Sequence, residues 1–345
     1  MFNSKFKVFF LVLFSLFIGH SPVVAEGTSD NHSENVEFDV VPFIMHHIAD
    51  AHDWHIADIG GHAVSLPLPV ILYTEGALDI FLSSGFHHGE SDVVKGDNAY
   101  YIEHEHIYER SGKKVIDLSI TRNVAAMFLS IAVLCFLFIG LANSYKNGQQ
   151  VPKGINSFLE PLVLFVRDEV ALPNIGEHKY AKFMPYLLTV FFFILINNLL
   201  GLVPFFPGGS NLTGNISFTF VLAVCTLIIT NINGTKDYWM HMLWMPGVPI
   251  PVRLILAPIE LIGVLTKPFA LMMRLFANIT AGHILILSLI SLIFMFKTVA
   301  VAPVSVAFAL FMNCLELLVA FLQAYIFTLL SALFIGTAVA EHEHH

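Results

Sequence analysis

The sequence predicts an all-α polytopic membrane protein with about five membrane-crossing helices, one interfacial amphipathic helix and a polar N-terminal extension. Of its 345 residues, 56% are hydrophobic and only 12% are charged, which is too few polar groups to cover a soluble globule of this size. The apolar residues also lie in long uninterrupted runs. A helix of about 20 such residues crosses the ~30 Å hydrocarbon layer of a membrane.

The first residues have the pattern of a secretory signal peptide. Lys5 and Lys7 precede an apolar stretch, residues 8–19, which is too short to cross a membrane, and small residues at 23–25 offer a cleavage site. An uncleaved anchor is the alternative. We therefore expect a signal peptide over residues 1–25 and a mature N-terminus in the periplasm of a bacterium.

Residues 26–120 are predicted to form a histidine-rich periplasmic extension. They are polar and acidic, and no apolar run among them is long enough to cross a membrane. Only residues 115–121 alternate between apolar and polar side chains, which predicts a short strand that leads into the first span. The membrane domain then covers residues 121–345.

Three apolar runs, residues 123–143, 183–203 and 214–232, contain no Asp, Glu, Lys or Arg and predict the first three spans. The connection between the first two spans is basic, with Lys146, Lys153, Arg167, Lys179 and Lys182. The next connection, residues 204–213, has no basic residue, so the first connection is predicted to be cytoplasmic and the second periplasmic. Within the basic connection, residues 155–170 are apolar at helical spacing but interrupted by charges, which indicates an interfacial helix.

The last two apolar segments are much longer than a membrane is thick. Residues 252–296 and 304–340 span 45 and 37 positions. As helices they would be roughly 67 and 56 Å long, about twice the hydrocarbon thickness. We therefore expect a strongly tilted antiparallel hairpin that turns near residues 297–303 and ends in the cytoplasm.

A charged stripe crosses the first of these helices. Glu260, Lys267 and Arg274 are spaced seven apart, so they share one helix face. Arg274 lies deepest, where a charge costs about 2.5–3.5 kcal/mol. It has two structural alternatives, snorkelling to the interface or neutralising a buried acid of the same chain. Because arginine does not release its proton, we interpret Arg274 as a fixed positive charge whose carboxylate partner comes from another protein.

The hairpin geometry pairs residues at equal distances from its turn. With the turn near residue 300, His283 lies opposite Glu316, and Arg274 falls level with Gln323 within about three residues, or 4.5 Å. Asn278 lies one helical turn from Arg274. A histidine and a carboxylate that face each other in a membrane can exchange a proton near neutral pH. The alternative is a static hydrogen-bonded pair that locks the two helices together.

These residues carry a resemblance to a known family. The segments Pro258-Ile-Glu-Leu261 and Leu271-Met-Met-Arg-Leu-Phe-Ala-Asn-Ile-Thr-Ala-Gly282 resemble the signature helix of subunit a of rotary, F-type ATP synthases. The resemblance extends through Asn197-Asn-Leu-Leu-Gly-Leu-Val-Pro204 and Leu322-Gln-Ala-Tyr-Ile-Phe327 and covers residues 120–340. The extension, with its histidines at 46–55, resembles that of Bacteroidetes-type bacterial members.

The resemblance implies a proton-channel stator subunit in the bacterial inner membrane. In that family, subunit a and the c-ring form two offset half-channels, and protons cross by riding on carboxylates of the rotating ring. Such a chain has no catalytic site for ATP, no cofactor and no metal. Its implied partners are the c-ring, the peripheral-stalk b subunits and membrane lipid, with no nucleic acid. Whether the ion is H⁺ or Na⁺ depends mainly on the c-ring.

The resemblance also assigns roles to individual residues. Arg274 matches the essential arginine that separates the half-channels. The entry half-channel includes His283, Glu316, Asn278 and Gln323, the inner half-channel includes Glu260, and further candidate pathway residues are Asn198, Thr219 and Lys267. In a familiar bacterial pattern the acid and the histidine of the pair are exchanged, which leaves the order of proton transfers open. Asn198 and Thr219 could instead make ordinary hydrogen bonds between helices.

The histidines of residues 32–106 suggest an alternative, a metal-ion transporter. Among them, His52 and His55 are three apart and could share a helix face, with Asp50 and Asp53 as further ligands, near His46 and His47. The spacing is too loose to be diagnostic, so we prefer a solvated or locally packed segment with no direct role over a proton-collecting or metal-binding surface near the channel mouth. The spans also lack the convergent His, Asp and Glu that a transporter needs. A soluble binding module on a membrane anchor is a third hypothesis, but it leaves the polar hairpin unexplained.

Overall fold

The computed structural model describes residues 50–59, 62–89, 91–96, 98–103, 105–146, 154–203, 207–244, 249–296 and 302–340. In this part of the chain, a β-rich unit precedes a helical membrane part. The expected signal peptide over residues 1–25, together with His46 and His47, lies outside the described residues.

The described residues of the extension form eight strands: β1 (Asp53–Ile59), β2 (His62–Pro67), β3 (Pro69–Thr74), β4 (Ala77–Leu82), β5 (Val93–Lys95), β6 (Asn98–Glu103), β7 (His106–Glu109) and β8 (Val115–Asp117). They form three antiparallel sheets, with strand orders β1-β2, β4-β3-β8 and β5-β6-β7. Strand β8 confirms the strand that was predicted before the first span. The sequence alone did not indicate the other seven, because they are short and their pairing depends on tight turns rather than on long apolar patterns.

A small core joins two of these sheets, β4-β3-β8 and β5-β6-β7. It consists of Val70, Leu72, Phe86, Tyr100 and Ile107. In β3, alternate residues point into this core, as the two-residue period of a strand requires. The phenol of Tyr100 is also hydrogen-bonded, at 3.0 Å to the hydroxyl of Thr74 and at 2.6 Å to the carboxylate of Asp79. The extension is therefore a packed unit.

Eight helices follow within the described residues: α1 (Arg122–Lys146), α2 (Asn156–Phe165), α3 (Leu172–Ile175), α4 (Tyr180–Leu202), α5 (Ile216–Ile232), α6 (Lys236–Leu243), α7 (Ile250–Phe296) and α8 (Ala302–Val339). Four of them, α1, α4, α7 and α8, are long and apolar enough to cross a membrane. A fifth span results if α5 and α6, which meet at a bend of 108°, are counted together. The helical membrane part that the sequence predicts is thus confirmed, with four or five spans.

The amphipathic segment predicted at residues 155–170 is helical. Helix α2 continues through a wider, π-type turn, Val166–Ala171, into α3. The wider turn is buried on one side, and the ring of Phe165 lies 6.1 Å from that of Phe321 and 5.4 Å from that of Tyr325, both on α8. On the other side Phe158 is exposed. The segment therefore packs along the outside of the helical bundle.

The long hairpin confirms the predicted lengths closely. Helix α7 has 47 residues and α8 has 38, and their bounds differ from the predicted ones by at most two residues. Near its end α8 approaches α3 so closely that a Cβ on Gly336 would collide with the carbonyl of Asn174. The glycine is required there because any larger residue would force the backbones apart.

Candidate functional site

The centre of the hairpin holds the predicted histidine–carboxylate pair. Nδ1 of His283 lies 2.8 Å from Oε1 of Glu316. The side chain of Glu316 is only 6% exposed and that of His283 18%, so both are largely shielded. Neighbouring Gly282 makes room for the pair, because a Cβ at that position would lie 2.7 Å from Oε1 of Glu316. The two residues can therefore share a proton along one hydrogen bond.

The end of α4 forms a wall beside this histidine. A Cβ on Gly201 would lie 3.8 Å from Nε2 of His283 and 3.2 Å from the backbone oxygen of Ser210. About one helical turn before His283, the hydroxyl of Thr280 donates to the backbone oxygen of Gly214 at 3.4 Å. The end of α4 and the segment that follows it therefore both lie against α7 near the pair.

Sequence reasoning missed Gly201 and Gly282 as parts of the site. A signal was available, because a glycine inside a helix costs about 1 kcal/mol relative to alanine and therefore often has a packing reason. For Gly282 that reason is the close approach of the Glu316 side chain from α8, and for Gly201 it is the backbone oxygen of Ser210.

Two candidate pathway residues, Asn198 and Thr219, are buried on α4 and α5. The side-chain amide of Asn198 donates to the backbone oxygen of Ala320 on α8 at 3.1 Å, which ties the two helices together. The hydroxyl of Thr219 contacts carbonyls of its own helical turn, those of Asn215 and Ile216. The hydrogen bond between helices that was the alternative role is thus observed for Asn198 but not for Thr219, within the described residues.

The charged stripe of α7 lies on the outer surface of the chain. Glu260, Lys267, Arg274 and Asn278 are all exposed. Arg274 forms no hydrogen bond or ion pair with any residue that the structure describes, and the ammonium of Lys267 lies 5.5 Å from the ring centre of Phe334. A charged guanidinium on an apolar helix surface is therefore available to a partner outside this chain.

Arg274 and Gln323, which were predicted to lie level on the two helices of the hairpin, do not face each other. Gln323 is 3% exposed and points into the bundle, whereas Arg274 points outward. No hydrogen bond joins the two side chains within the described part of the chain. Equal distance from the turn predicts where two residues lie along the helix axes. It does not predict how each helix is rotated about its own axis, because helix packing determines that rotation.

His52 and His55 do not share a helix face, the arrangement that would have made a zinc site possible. His52 directly precedes β1 and His55 lies within it, so the chain is extended there because β1 pairs with β2. Nε2 of His52 is 2.9 Å from Oδ2 of Asp117. Among the residues that the structure describes, no group of three or more His, Cys, Asp or Glu is arranged to hold a metal ion. The metal-transporter alternative has no observation in its favour.

Comparison with known proteins agrees with this geometry. Residues 124–336 match the family model of the ATP synthase A chain, and residues 43–125 match that of a domain of unknown function. ATP synthase subunit a of Chloroherpeton thalassium is 52% identical over 233 residues, which are 66% of this chain and 69% of that protein.

Two further relatives also cover most of the extension. ATP synthase subunit a of Chlorobium phaeobacteroides is 41% identical over 324 residues, 88% of this chain and 92% of that protein. ATP synthase subunit a of an Anaeromyxobacter species is 40% identical over 334 residues, 93% and 75% of the two chains. The chain therefore belongs to the ATP synthase A chain family, as a subunit a of F-type ATP synthase.

Proposed function

We propose that this chain, the proton-channel stator subunit of an F-type ATP synthase, passes protons to the c-ring along the polar faces of α7 and α8. The observation that supports this proposal is the division of polar groups between the two sides of α7. Arg274 is exposed and makes no ion pair with any described residue, whereas the His283–Glu316 pair is shielded inside the hairpin. As a member of its family, the chain is a multi-pass inner-membrane subunit that has no catalytic site for ATP.

Arg274 is proposed to separate the two half-channels. Its guanidinium keeps its charge at any physiological pH, so it favours the ionised form of each ring carboxylate that comes opposite it. The carboxylate releases its proton before it passes, and the fixed positive charge repels protons that would otherwise leak directly between the half-channels. Its exposure on the outer face of α7 supports this role, because the ring must reach it.

The entry half-channel is proposed to run past the shielded pair to the ring. A proton bound by Glu316 or by His283 can move across the 2.8 Å hydrogen bond between them. It is then proposed to reach the ring past Asn278, a polar group exposed on α7. Gln323 and Asn198, both buried, and Thr219 are the further polar groups of this route. Glu260 and Lys267, exposed on α7 before Arg274, are proposed to belong to the inner half-channel.

The proposed arrangement in the membrane follows from the basic connection. Lysine and arginine residues between α1 and α4 favour a cytoplasmic connection, so the extension lies in the periplasm and the C-terminus in the cytoplasm. The amphipathic segment, α2 to α3, then lies near the cytoplasmic interface. Residues 1–25 are proposed as a signal peptide, 26–120 as the extension and 121–345 as the membrane domain. The proposed partners besides the ring are the peripheral-stalk b subunits and lipid.

Copurification tests this assembly directly. We expect an affinity tag on the C-terminus of this chain to recover the c subunits, the b subunits and the ATPase headpiece from mild detergent. The recovered complex should pump protons into liposomes when ATP is added. Recovery of the full-length chain without c subunits would contradict the proposal.

A further inference from the structure

We propose that the N-terminal extension is a working part of the entry half-channel, with Trp54 as a positioning residue. Trp54 would hold the segment 207–214, here called the entry loop, against the wall beside His283. This inference rests on the proposed function of the His283–Glu316 pair, and it adds to that function a role for the extension.

A buried contact joins the extension to the entry loop. The indole of Trp54 is 5% exposed, and its Nε1–H donates to the backbone oxygen of Gly208 at 3.3 Å, across 154 positions of the sequence. The loop is folded back on α4 at this point, because the backbone N–H of Gly209 donates to the carbonyl of Leu200 at 3.2 Å. A Cβ on Gly208 would collide with the carbonyl of Val203, so only glycine allows this fold.

The same loop continues to the proton-carrying pair. Two residues after Gly208, the backbone oxygen of Ser210 lies against Gly201, whose other neighbour is the imidazole of His283. Ser210 is 2% exposed. A short series of contacts therefore leads from Trp54 to His283.

The far end of the entry loop is also attached to α7. The side chain of Asn211 accepts a hydrogen bond from the backbone N–H of Gly214 at 3.0 Å, and the carbonyl of Gly214 accepts one from Thr280. Thr280 precedes His283 by three residues and so lies on the same side of α7. A displaced entry loop would thus disturb two contacts near His283, at Gly201 and at Thr280.

The extension itself is anchored firmly enough to act as a support. The carboxylate of Asp50 accepts from the hydroxyl of Thr121 at 2.9 Å and from the backbone N–H of Asn123 at 3.1 Å, at the start of α1. The backbone N–H of Arg122 donates to the carbonyl of Ala51 at 2.9 Å. Trp54 follows Asp50 by four residues and Ala51 by three, so these contacts attach the chain beside Trp54 to the start of α1.

Loss of the Trp54 contact is expected to impair proton entry and not the maximal rate of ATP synthesis. Gly201 and Ser210, on the wall beside His283, carry no charge, and among the described residues the titratable group hydrogen-bonded to the imidazole is Glu316 on α8. If the loop moves away, the position and solvation of the imidazole change while Arg274 and the ring contact stay intact. Proton uptake from the outside should therefore weaken at low proton concentration.

The first test uses assembled enzyme in native membrane vesicles. Trp54→Phe keeps an aromatic ring but removes the N–H donor. We expect it to raise the external proton concentration needed for half-maximal ATP synthesis several-fold, with the rate at saturating acidity within about twofold of wild type. Trp244→Phe is the matched control, because that ring lies 4.7 Å from the guanidinium of Arg253, far along the chain from the entry loop. Equal proton dependence in Trp54→Phe and wild type would overturn the inference.

The second test measures loop position without measuring activity. Ser210→Cys is placed in a chain whose native cysteines, Cys135, Cys225 and Cys314, are replaced by serine. A membrane-impermeant maleimide is then added from the outside. Because Ser210 is buried, we expect little labelling until Trp54→Ala is added, and a several-fold rise with that change at equal chain abundance. Unchanged labelling would show that Trp54 does not hold the loop.

The inference and the proposed function fail in different ways. Arg274→Ala is measured in the same vesicles. If that variant retains coupled synthesis, the proposed function is wrong whatever Trp54 does. If it loses synthesis while the Trp54 variants match wild type in both tests, only the role of the extension is overturned.

Discussion

Nδ1 of His283 and Oε1 of Glu316 lie 2.8 Å apart across the hairpin of α7 and α8. The second carboxylate oxygen of Glu316 is buried and has no hydrogen-bond partner among the described residues. Two interpretations of the pair, proton transfer and a static hydrogen-bonded lock between the helices, predict different effects of substitution.

Glu316→Gln and His283→Leu should each slow proton translocation. A hydrogen bond to a charged group contributes about 1.5–3 kcal/mol, so each change should slow pumping roughly ten- to hundredfold. Exchanging the two residues should retain more activity than the worse single variant. ATP-driven pumping in vesicles measures this. A double-mutant cycle with strictly additive effects would show that the side chains do not interact.

Arg274→Ala should abolish ATP synthesis coupled to proton flow while the chain remains inserted. The reason is that the side chain makes no ion pair within the described chain, so its loss removes a functional charge rather than a folding contact. Synthesis in vesicles and an immunoblot together check this. Arg274→Lys should not restore full activity, because an ammonium can lose its proton when buried. Substantial coupled synthesis in the alanine variant would refute the assignment.

Gly282→Ala should impair pumping without lowering the amount of chain. The added methyl group would lie 2.7 Å from Oε1 of Glu316 and would push the carboxylate away from His283. Overpacking of this kind costs about 1–3 kcal/mol. Gly140→Ala is the control, since its Cβ would meet nothing closer than an Asn156 oxygen at 4.0 Å. Equal pumping rates in the two variants would argue against a tight fit at Gly282.

Gly336→Ala should destabilise the membrane part itself. Its Cβ would collide with the carbonyl of Asn174, so α8 and α3 would have to separate. We expect a cost of about 1–3 kcal/mol or more. The measurement is the temperature at which the detergent-solubilised complex releases this chain, compared with Gly140→Ala. No difference between the variants would mean that the two backbones can separate freely.

Asp117→Asn should loosen the extension at neutral pH. Burial alone would raise the pKa of Asp117, but hydrogen bonds from His52 and Ser119 outweigh it and hold the pKa below its ordinary value of 3.8. The carboxylate therefore contributes stability that is present above pH about 4 and is lost as the pH falls through the lowered pKa. We expect a loss on the order of 1 kcal/mol at pH 7.

Limited proteolysis of the extension in the assembled complex measures this loss. Asp92→Asn is the matched control, because Asp92 pairs with Arg110 on an exposed surface. Faster cleavage at pH 7 is expected for the Asp117 variant alone. Equal cleavage rates in both variants and in wild type would contradict a structural role for the His52–Asp117 contact.

Much of the membrane part could be predicted from sequence because the bilayer acts on local composition. A charge-free run of about 20 residues crosses the membrane whatever its neighbours are, and the seven-residue spacing of Glu260, Lys267 and Arg274 places them on one side of any continuous helix. Equal distances from the hairpin turn likewise brought His283 level with Glu316. These features follow from helix geometry alone.

Only the tertiary structure decided which way the side chains of α7 and α8 point and which residues pack against them. Gln323 points inward and Arg274 outward, and three glycines, Gly201, Gly282 and Gly336, permit close approaches that no pattern within one segment reveals. The eight strands of the extension and the contact of Trp54 with Gly208 depend on residues far apart in sequence. The free energy of a long-range contact depends on both of the surfaces that meet. The pattern of one sequence segment describes only one of these surfaces, so it does not predict the contact.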